Sequence, residues 1–559
     1  MAFKDLFSKG KDAKPAKAND VLERAYDLFE EYRQAYGAEW QRLENNEKIY
    51  RGDHWWDVPM EDINEPRPVT PVIQSTIENV KSDLMDNFPE AIIQPEGPED
   101  ETVARVLEAV IRQNHDGASY RREWWKLAHD LLVGGYMVQE VGYDPLLNNG
   151  LGGAFIRHVD SRNIMFDPLS LTVQGCRGVF KFEAKSLKWL NNHYPAHAPF
   201  GADEYAGTAA TDEIITQDQA KRALLMEYWW REFDPETGRY RVHMAKMAGH
   251  KLLEDSRKQK PEGYYAHGEY PFILTPLFLR KGSCLGYGFV DMFETQQRYA
   301  DKLDQIVLKN ALMASRNKLL ISENSGFDVE DLKDWSKEVH QGTAVNDNNV
   351  RWFPTPPLPP HILAYISEIR QGIKEESGAN DFSRGQAGQG VTAASAIAAL
   401  QEMSSKRSRM AANQMQEAYR DAVRLEIEVE REWNVLPREV LVTDNGQPQR
   451  MTFESALLER ETALGNRVPV EFVISIKVQK ENRWSVMAHN ELVLQMVQLG
   501  VIQPGQALEL MQFEGRESIL KKATEQGPMM DPAMMEQMQA QQQMGAELQQ
   551  MPVPEMAIS

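Results

Sequence analysis

The sequence has almost no cysteine. Cys176 and Cys284 are the only two in 559 residues, which excludes a disulfide-stapled scaffold and a Cys-rich zinc module and fits a reducing, intracellular setting. Long apolar runs are missing as well. No stretch approaches the roughly 20 apolar residues needed to span a bilayer, and the uncharged segment Gln386–Gln401 is full of Gly, Ala and Gln. The opening MAFKDLFSKGKDAKPAKAND scatters Lys and Asp without an apolar core, so it does not read as a signal peptide. Positive charge is scarce. Against 83 acidic residues stand 62 basic ones, a formal charge of −21. An acidic surface repels phosphates, which argues against a protein that coats nucleic acid.

Catalytic signatures are equally thin. No Gly-x4-Gly-Lys-[Ser/Thr] phosphate loop occurs, since Gly10-Lys11 lacks the preceding glycine. Gly286-Tyr-Gly288 has Asp291 where a dinucleotide fingerprint needs its third glycine, so it reads better as the lead-in to a helix. His193 and His197 have a metal-compatible spacing, but Pro195 separates them and no HExxH glutamate accompanies them. Gly282-Ser-Cys-Leu-Gly286 is offset by one residue from a nucleophile elbow. Three Trp doublets, Trp55-Trp56, Trp124-Trp125 and Trp229-Trp230, could stack bases. Without a basic cluster beside them, one ring in the core and its neighbour at an edge is the better reading. The expectation is a protein with no catalytic site, no metal and no cofactor.

What the chain does have is material for large cores, with 42% apolar and 26% charged residues. Its length alone suggests three to four domains of about 150 residues. A flexible arm, 1–20, precedes an amphipathic helix starting near Asp20. Pro59, Pro66, Pro68 and Pro71 mark an extended stretch, and helices are expected at 71–88, 100–116 and 119–134. Strand-like segments fill 153–184, and strands 222–233 and 239–247 flank the turn Asp234-Pro-Glu-Thr-Gly238, the clearest hairpin signal present. Residues 21–288 thus read as one α+β body.

From Phe289 the pattern changes. A helix without Pro or Gly runs to Arg316, followed by a small module, 317–360, with a strand at KLLIS, an acidic helix at DVEDLKDWSKEV and a proline-rich exit. A second helix spans 361–376. Ser377 to Gly390 then holds four glycines, a mobile loop by composition. The longest helix is expected from Thr392 to Trp433, with Ala411, Met415, Ala418, Ala422, Leu425 and Val429 on one face. Strands 439–443 and 468–479, helices from Ser485 and a Met/Gln-rich tail, 526–559, complete the chain. The fold class is α+β, mainly α.

This order of elements resembles the portal, or head-to-tail connector, proteins of tailed bacteriophages. The local sequences that carry the likeness are Tyr50-Arg-Gly-Asp-His-Trp-Trp56, Arg67-Pro, the helix Ile73–Val80, and Phe88-Pro-Glu-Ala-Ile-Ile-Gln-Pro95. Gln296–Ile321 resembles the family's first stem helix. Ser377-Gly-Ala-Asn-Asp381 with Thr392-Ala-Ala-Ser-Ala396 resembles its tunnel loop and following helix. The likeness covers about residues 30–510 and is closest to the short-tailed phage branch.

The resemblance implies a ring, usually dodecameric, at one capsid vertex, through which double-stranded DNA is packaged and ejected. It implies an α+β wing at 21–288, a stem helix at 289–316, a clip at 317–360, a second stem helix at 361–376 and a tunnel loop at 377–391. A long wing helix with a β-segment would occupy 392–484, a helical crown 485–525 and a disordered tail 526–559. The implied loop residues are Ser377, Gly378, Ala379, Asn380, Asp381, Phe382, Ser383, Arg384, Gly385 and Gln386. Lys309, Arg316 and Arg384 are candidate basic channel-lining residues. Asp328, Glu330, Asp331, Lys333, Asp334 and Trp335 are candidate clip residues that dock the terminase or adaptors. The implied partners are further copies of the chain, DNA, terminase, major capsid and scaffolding proteins, and head-completion or tail adaptor proteins, with no membrane. The location is the virion, after assembly in the host cytoplasm. The alternative is a non-channel head-tail adaptor or helical scaffold. On the channel reading the acidic balance acquires a use, because DNA held by many neutralised phosphates could not slide.

Overall fold

The computed structural model describes residues 18–59, 65–95, 100–203, 222–315, 319–322, 350–352, 358–377, 406–434, 436–444, 447–461, 467–480 and 483–500, with single positions at 97, 205, 207, 326, 328, 502, 506, 507, 510 and 511. They fall into two compact units, residues 1–479 and residues 480–559.

The first unit opens with α1 (Ala18–Arg51). Its Val21, Ala25, Phe29, Tyr32, Tyr36 and Leu43 recur at helical spacing and are all buried. α2 (Val72–Asp86) follows the prolines and passes directly into β1 (Asn87–Pro95). The expected helix 71–88 stops short because Pro89 disfavours a helical residue before it. α3 (Glu101–Gly117) and α4 (Tyr120–Val133) lie within two residues of expectation. β2 (Tyr136–Asp144), which the sequence reading left unassigned, and β3 (Gly153–Val159) come next.

β4 (Ile164–Met165), β5 (Val179–Ser186), α5 (Leu187–His193), β6 (Arg222–Asp234), β7 (Arg239–Ala248) and β8 (Lys251–Asp255) follow in chain order. The five strands form one antiparallel meander in sequence order. The β6–β7 turn is built as its residues demand. Asp234 accepts hydrogen bonds from the Glu236 backbone at 3.0 Å and from Thr237 Oγ1 at 2.7 Å, and Gly238 takes the left-handed φ of +69°. β9 (Phe272–Pro276) joins the second sheet, ordered β3-β2-β9, where Val138 pairs with Val159 on one side and Leu274 on the other.

Trp229 and Trp230 correct the core-plus-edge reading of the doublets, because both are buried. β6 is a central strand whose two faces are both covered. On one face Tyr228 stacks on Phe180 and Trp230, and Phe180 meets Phe29 and Tyr32 of α1. On the other, Trp229 packs on Tyr264, Tyr265 and Phe272. Trp124-Trp125 does follow that reading, with Trp124 buried and Trp125 49% exposed beneath the Lys81 ammonium.

The short pair β10 (Phe278–Leu279) and β11 (Gly286–Tyr287) leads into α6 (Phe289–Ser315). β12 (Leu319–Ile321) and β13 (Val350–Trp352) pair antiparallel, Leu319 opposite Trp352, and so close the base of the small module. The expected acidic helix there lies outside the described residues. α7 (Pro360–Ser377) returns antiparallel beside α6, with Gln296 opposite Glu376 and Asp304 opposite Arg370. α8 (Lys406–Trp433) buries Ala411, Met415, Ala418, Ala422, Leu425 and Val429, the stripe read from the sequence. The part expected at 392–405 lies outside the described residues.

β14 (Arg438–Asp444) and β15 (Gln447–Phe453) form a hairpin, as do β16 (Glu459–Glu461) and β17 (Arg467–Pro469). β18 (Phe472–Lys480) pairs with β1. The single strand expected at 468–479 is thus two, since Pro469 has no N–H for the ladder. In the second unit the described helix is α9 (Arg483–Gln498), with Val493 buried.

Candidate channel site

The α6–α7 hairpin is where the resemblance puts the channel, and small residues let it begin where it does. Gly135, in the α4–β2 turn, has φ of +90°, and a Cβ there would lie 2.3 Å from the Tyr287 carbonyl carbon. A Cβ on Gly286 would lie 2.6 Å from Gly135 O, and one on Gly288 would lie 2.7 Å from Leu132 O. Main chain therefore packs directly on main chain where α6 starts, which is the reason for the Gly-Tyr-Gly sequence.

Asp291 then fixes the first turn. Its carboxylate accepts the Gly288 N–H at 2.8 Å, Arg42 Nη1 at 2.6 Å and Asn46 Nδ2 at 3.0 Å. Arg42 also donates to Gly134 O at 2.8 Å and to Glu39 at 2.5 Å. Burial alone would lower the Arg42 pKa. The Glu39 hydrogen bond and the charges of Asp291 and Glu39 outweigh it, so the guanidinium is held above its ordinary value.

Two turns on, α6 reaches α2. Pro71 sits at the N-cap position of α2 and has no side-chain acceptor to offer the first N–H groups. Gln297 supplies one instead, its Oε1 lying 3.1 Å from Val72 N and 3.4 Å from Ile73 N. Its Nε2 donates to Thr70 O at 2.7 Å and to Asp301 Oδ1 at 3.0 Å. Asp301, 1% exposed, also meets His54 Nδ1 at 2.5 Å, and His54 Nε2 donates to Ile49 O at 3.0 Å. One turn further, Asp304 pairs with Arg370 of α7, and Arg370 donates to Thr70 Oγ1 at 3.0 Å. A polar chain thus joins α1, the 65–71 strap, α2, α6 and α7.

These contacts divide α6 into faces. Phe293, Gln297 and Asp301 turn toward the body, while Gln296 and Asp304 reach α7. Met292, Thr295, Tyr299, Lys302, Ile306, Lys309 and Met313, at alternating three- and four-residue steps, are all exposed. On α7, Ile366 and Ile373 face inward, whereas Ala364, Glu368, Gln371 and Glu375 are exposed at the same spacing.

The expected site residues fall as follows. Lys309 lies on the exposed face of α6 and forms a 3.3 Å ion pair with Glu65. Ser377, expected to begin the loop, is instead the buried last residue of α7, its Oγ donating to Lys374 O at 3.0 Å. Asp328 is exposed. Gly378, Ala379, Asn380, Asp381, Phe382, Ser383, Arg384, Gly385 and Gln386 lie outside the described residues. So do Arg316, Glu330, Asp331, Lys333, Asp334 and Trp335. The described ends of that loop, α7 and the start of α8, both rest on α2. There Asp83 is raised above the usual carboxylate range by burial, against the lowering effect of its hydrogen bond from Ser408.

Sequence reasoning missed a second buried polar cluster, on α8. Glu426 and Glu430 are both fully buried. Glu430 accepts from Asn114 Nδ2 at 2.6 Å, Ala154 N at 2.8 Å and Asn434 Nδ2 at 2.7 Å, and lies 3.3 Å from Arg438. Glu426 meets Asn114 at 3.2 Å and His115 Nε2 at 2.9 Å. Part of the signal was available, because Glu426, Glu430 and Asn434 recur every four residues beside the apolar stripe, whereas Arg438 comes from β14 beyond Pro437. Among the described residues no group of His, Cys, Asp or Glu is arranged to hold a metal, and no helix is long and apolar enough to cross a membrane. His193 stacks on Trp189 at 3.9 Å.

A family model described as "Phage P22-like portal protein" matches residues 26–559. The chain belongs to this family. It is a phage portal protein, and P22-like membership agrees with the short-tailed branch. The family is one of structural proteins of the phage capsid vertex rather than of enzymes. No curated protein matches the chain.

Proposed function

We propose that copies of this chain assemble into a closed ring, usually twelve in this family, forming the DNA channel at one capsid vertex for genome packaging and ejection. The observation that carries this reading, beside family membership, is the α6–α7 hairpin. It is anchored to the body through buried polar contacts along one side, yet its opposite side presents a continuous stripe that no described residue of the chain covers. Met292, Tyr299, Ile306 and Met313 on that stripe are between 38% and 59% exposed. Solvent is an unfavourable neighbour for four large apolar side chains at seven-residue spacing. Further copies arranged about an axis would cover them.

On this reading 289–316 and 361–376 form the stem, 317–360 the clip and 377–391 the tunnel loop, with Arg316 and Arg384 guiding phosphates. The clip, including Asp328, Glu330, Asp331, Lys333, Asp334 and Trp335, would dock a terminase and later head-completion or tail adaptor proteins. The wing would face the major capsid and scaffolding proteins during assembly in the host cytoplasm. An acidic wall repels the duplex toward the axis, so DNA passes without being held. Negative-stain imaging of the purified protein tests the reading. Closed rings with a central hole are expected, and a uniform 63.8 kDa monomer at micromolar concentration would overturn it.

A further inference from the structure

We infer that the exposed stripe of α6 seats against the exposed stripe of α7 in the neighbouring copy, and that Lys302 and Lys309 on the first helix pair with Glu368 and Glu375 on the second. This rests on the ring reading above and adds which faces meet and which charges set their register.

The two stripes differ in character. That of α6 alternates apolar residues, Met292, Tyr299, Ile306 and Met313, with Thr295, Lys302 and Lys309, so its only charges are positive. That of α7 reads Ala364, Glu368, Gln371 and Glu375, so its charges are negative. A face that met its own copy about a two-fold axis would oppose like charges. Basic against acidic instead suits a head-to-tail contact, the kind that closes a ring when the rotation is right.

The levels agree as well. The contacts Gln296–Glu376 and Asp304–Arg370 fix how the antiparallel helices align within one chain. By that alignment Lys302 lies level with residue 371. At 1.5 Å per residue it is about 4.5 Å along the axis from Glu368 and about 6 Å from Glu375, while Lys309 is about 6 Å from Glu368. Rotation about a ring axis parallel to the helices preserves these offsets, and a lysine side chain spans them.

The stripe has other charged neighbours within its own chain. Arg298 pairs with Asp57 at 2.7 Å, the Lys302 charge also reaches Asp57, and Lys309 pairs with Glu65 at 3.3 Å. Reversing a lysine disturbs these too. The test must therefore be a charge swap rather than a single reversal.

The experiment uses the full chain in four forms. These are the natural sequence, Lys302→Glu with Lys309→Glu, Glu368→Lys with Glu375→Lys, and all four changes together. Ring content is measured by sedimentation velocity across a protein dilution series at 0.1 M salt, and helicity by circular dichroism. Each double reversal is expected to raise the concentration at half dissociation by about tenfold or more. The fourfold variant is expected to recover most of that loss. Recovery cannot come from Asp57 or Glu65, which the α7 changes leave untouched. Rings that tolerate either reversal, or a fourfold variant no better than the α6 reversal, would overturn the inference while leaving the ring intact. A natural protein that forms no rings would overturn the ring reading itself.

Discussion

Replacing Glu430 by alanine should be among the most damaging single changes in this molecule. Glu430 is fully buried, and Arg438, its 3.3 Å partner, is 2% exposed. Truncation leaves the guanidinium with Asn114 Oδ1 at 3.0 Å and Gly152 O at 3.2 Å but no counter-charge. It also strips an acceptor from Asn114, Asn434 and the Ala154 N–H. Breaking a buried ion pair by removing one partner costs about 3–5 kcal/mol. Replacing both partners by apolar groups of similar volume costs less, because no buried charge is left uncompensated. Glu430→Met with Arg438→Met should therefore be less destabilised than the sum of the two single changes, by at least about 1 kcal/mol. Urea unfolding followed by circular dichroism, at one fixed protein concentration because assembly shifts apparent stability, measures all four corners of the cycle. A loss below about 1 kcal/mol for Glu430→Ala would refute the claim that this cluster pins α8 to α3 and β3.

Changes at four further positions probe other parts of the structure. Gly135→Ala forces a Cβ to within 2.3 Å of the Tyr287 carbonyl carbon and should abolish soluble expression. Gly52→Ala has a similar positive φ but open space around it, and should cost only about 1 kcal/mol by thermal unfolding. Gln297→Ala removes the borrowed cap of α2 and should cost about 2 kcal/mol in the same assay, while Gln297→Glu should be worse near neutrality because it sets a second carboxylate against Asp301. His267 is pushed down to about 4 by burial, and its Nδ1 accepts the Glu269 N–H at 3.0 Å. Its folded pKa lies below the unfolded value near 6.5, so its contribution is intact above pH 6.5 and is lost as pH falls toward 4. Roughly 2 kcal/mol should disappear between pH 7.5 and pH 5, and His267→Asn should flatten that slope in urea titrations.

The sequence was legible wherever one period dominated. The buried stripe of α8 and the β6–β7 hairpin follow from spacing and turn chemistry alone. β2 was not assigned because Leu131-Leu-Val runs through Gly134-Gly135 into Tyr136-Met-Val, an apolar stretch that suits a helix or a strand buried on both faces. One ring of the Trp229-Trp230 pair was expected at an edge because nothing local says that both faces of β6 are covered, one through Tyr228 and Phe180 by α1, about 200 residues away in sequence, and the other by Tyr264, Tyr265 and Phe272. The polar anchorage of α6 was hidden for a related reason. Gln297, Asp301 and Asp304 are unremarkable on a helix until the 65–71 strap and Arg370 are brought against them. Ser377 shows the limit at boundaries, where a residue next to a glycine reads as loop although its hydroxyl closes the last turn of α7.

The central claim, that α6 and α7 wall a channel, is tested most directly by a cryo-EM reconstruction of the purified full-length particle. The expected result is a closed ring whose central hole is lined by α6–α7 hairpins, with the stripe through Tyr299 and Ile306 buried between adjacent copies. A reconstruction in which those hairpins lie on the outer rim, or in which no hole runs through the assembly, would contradict it.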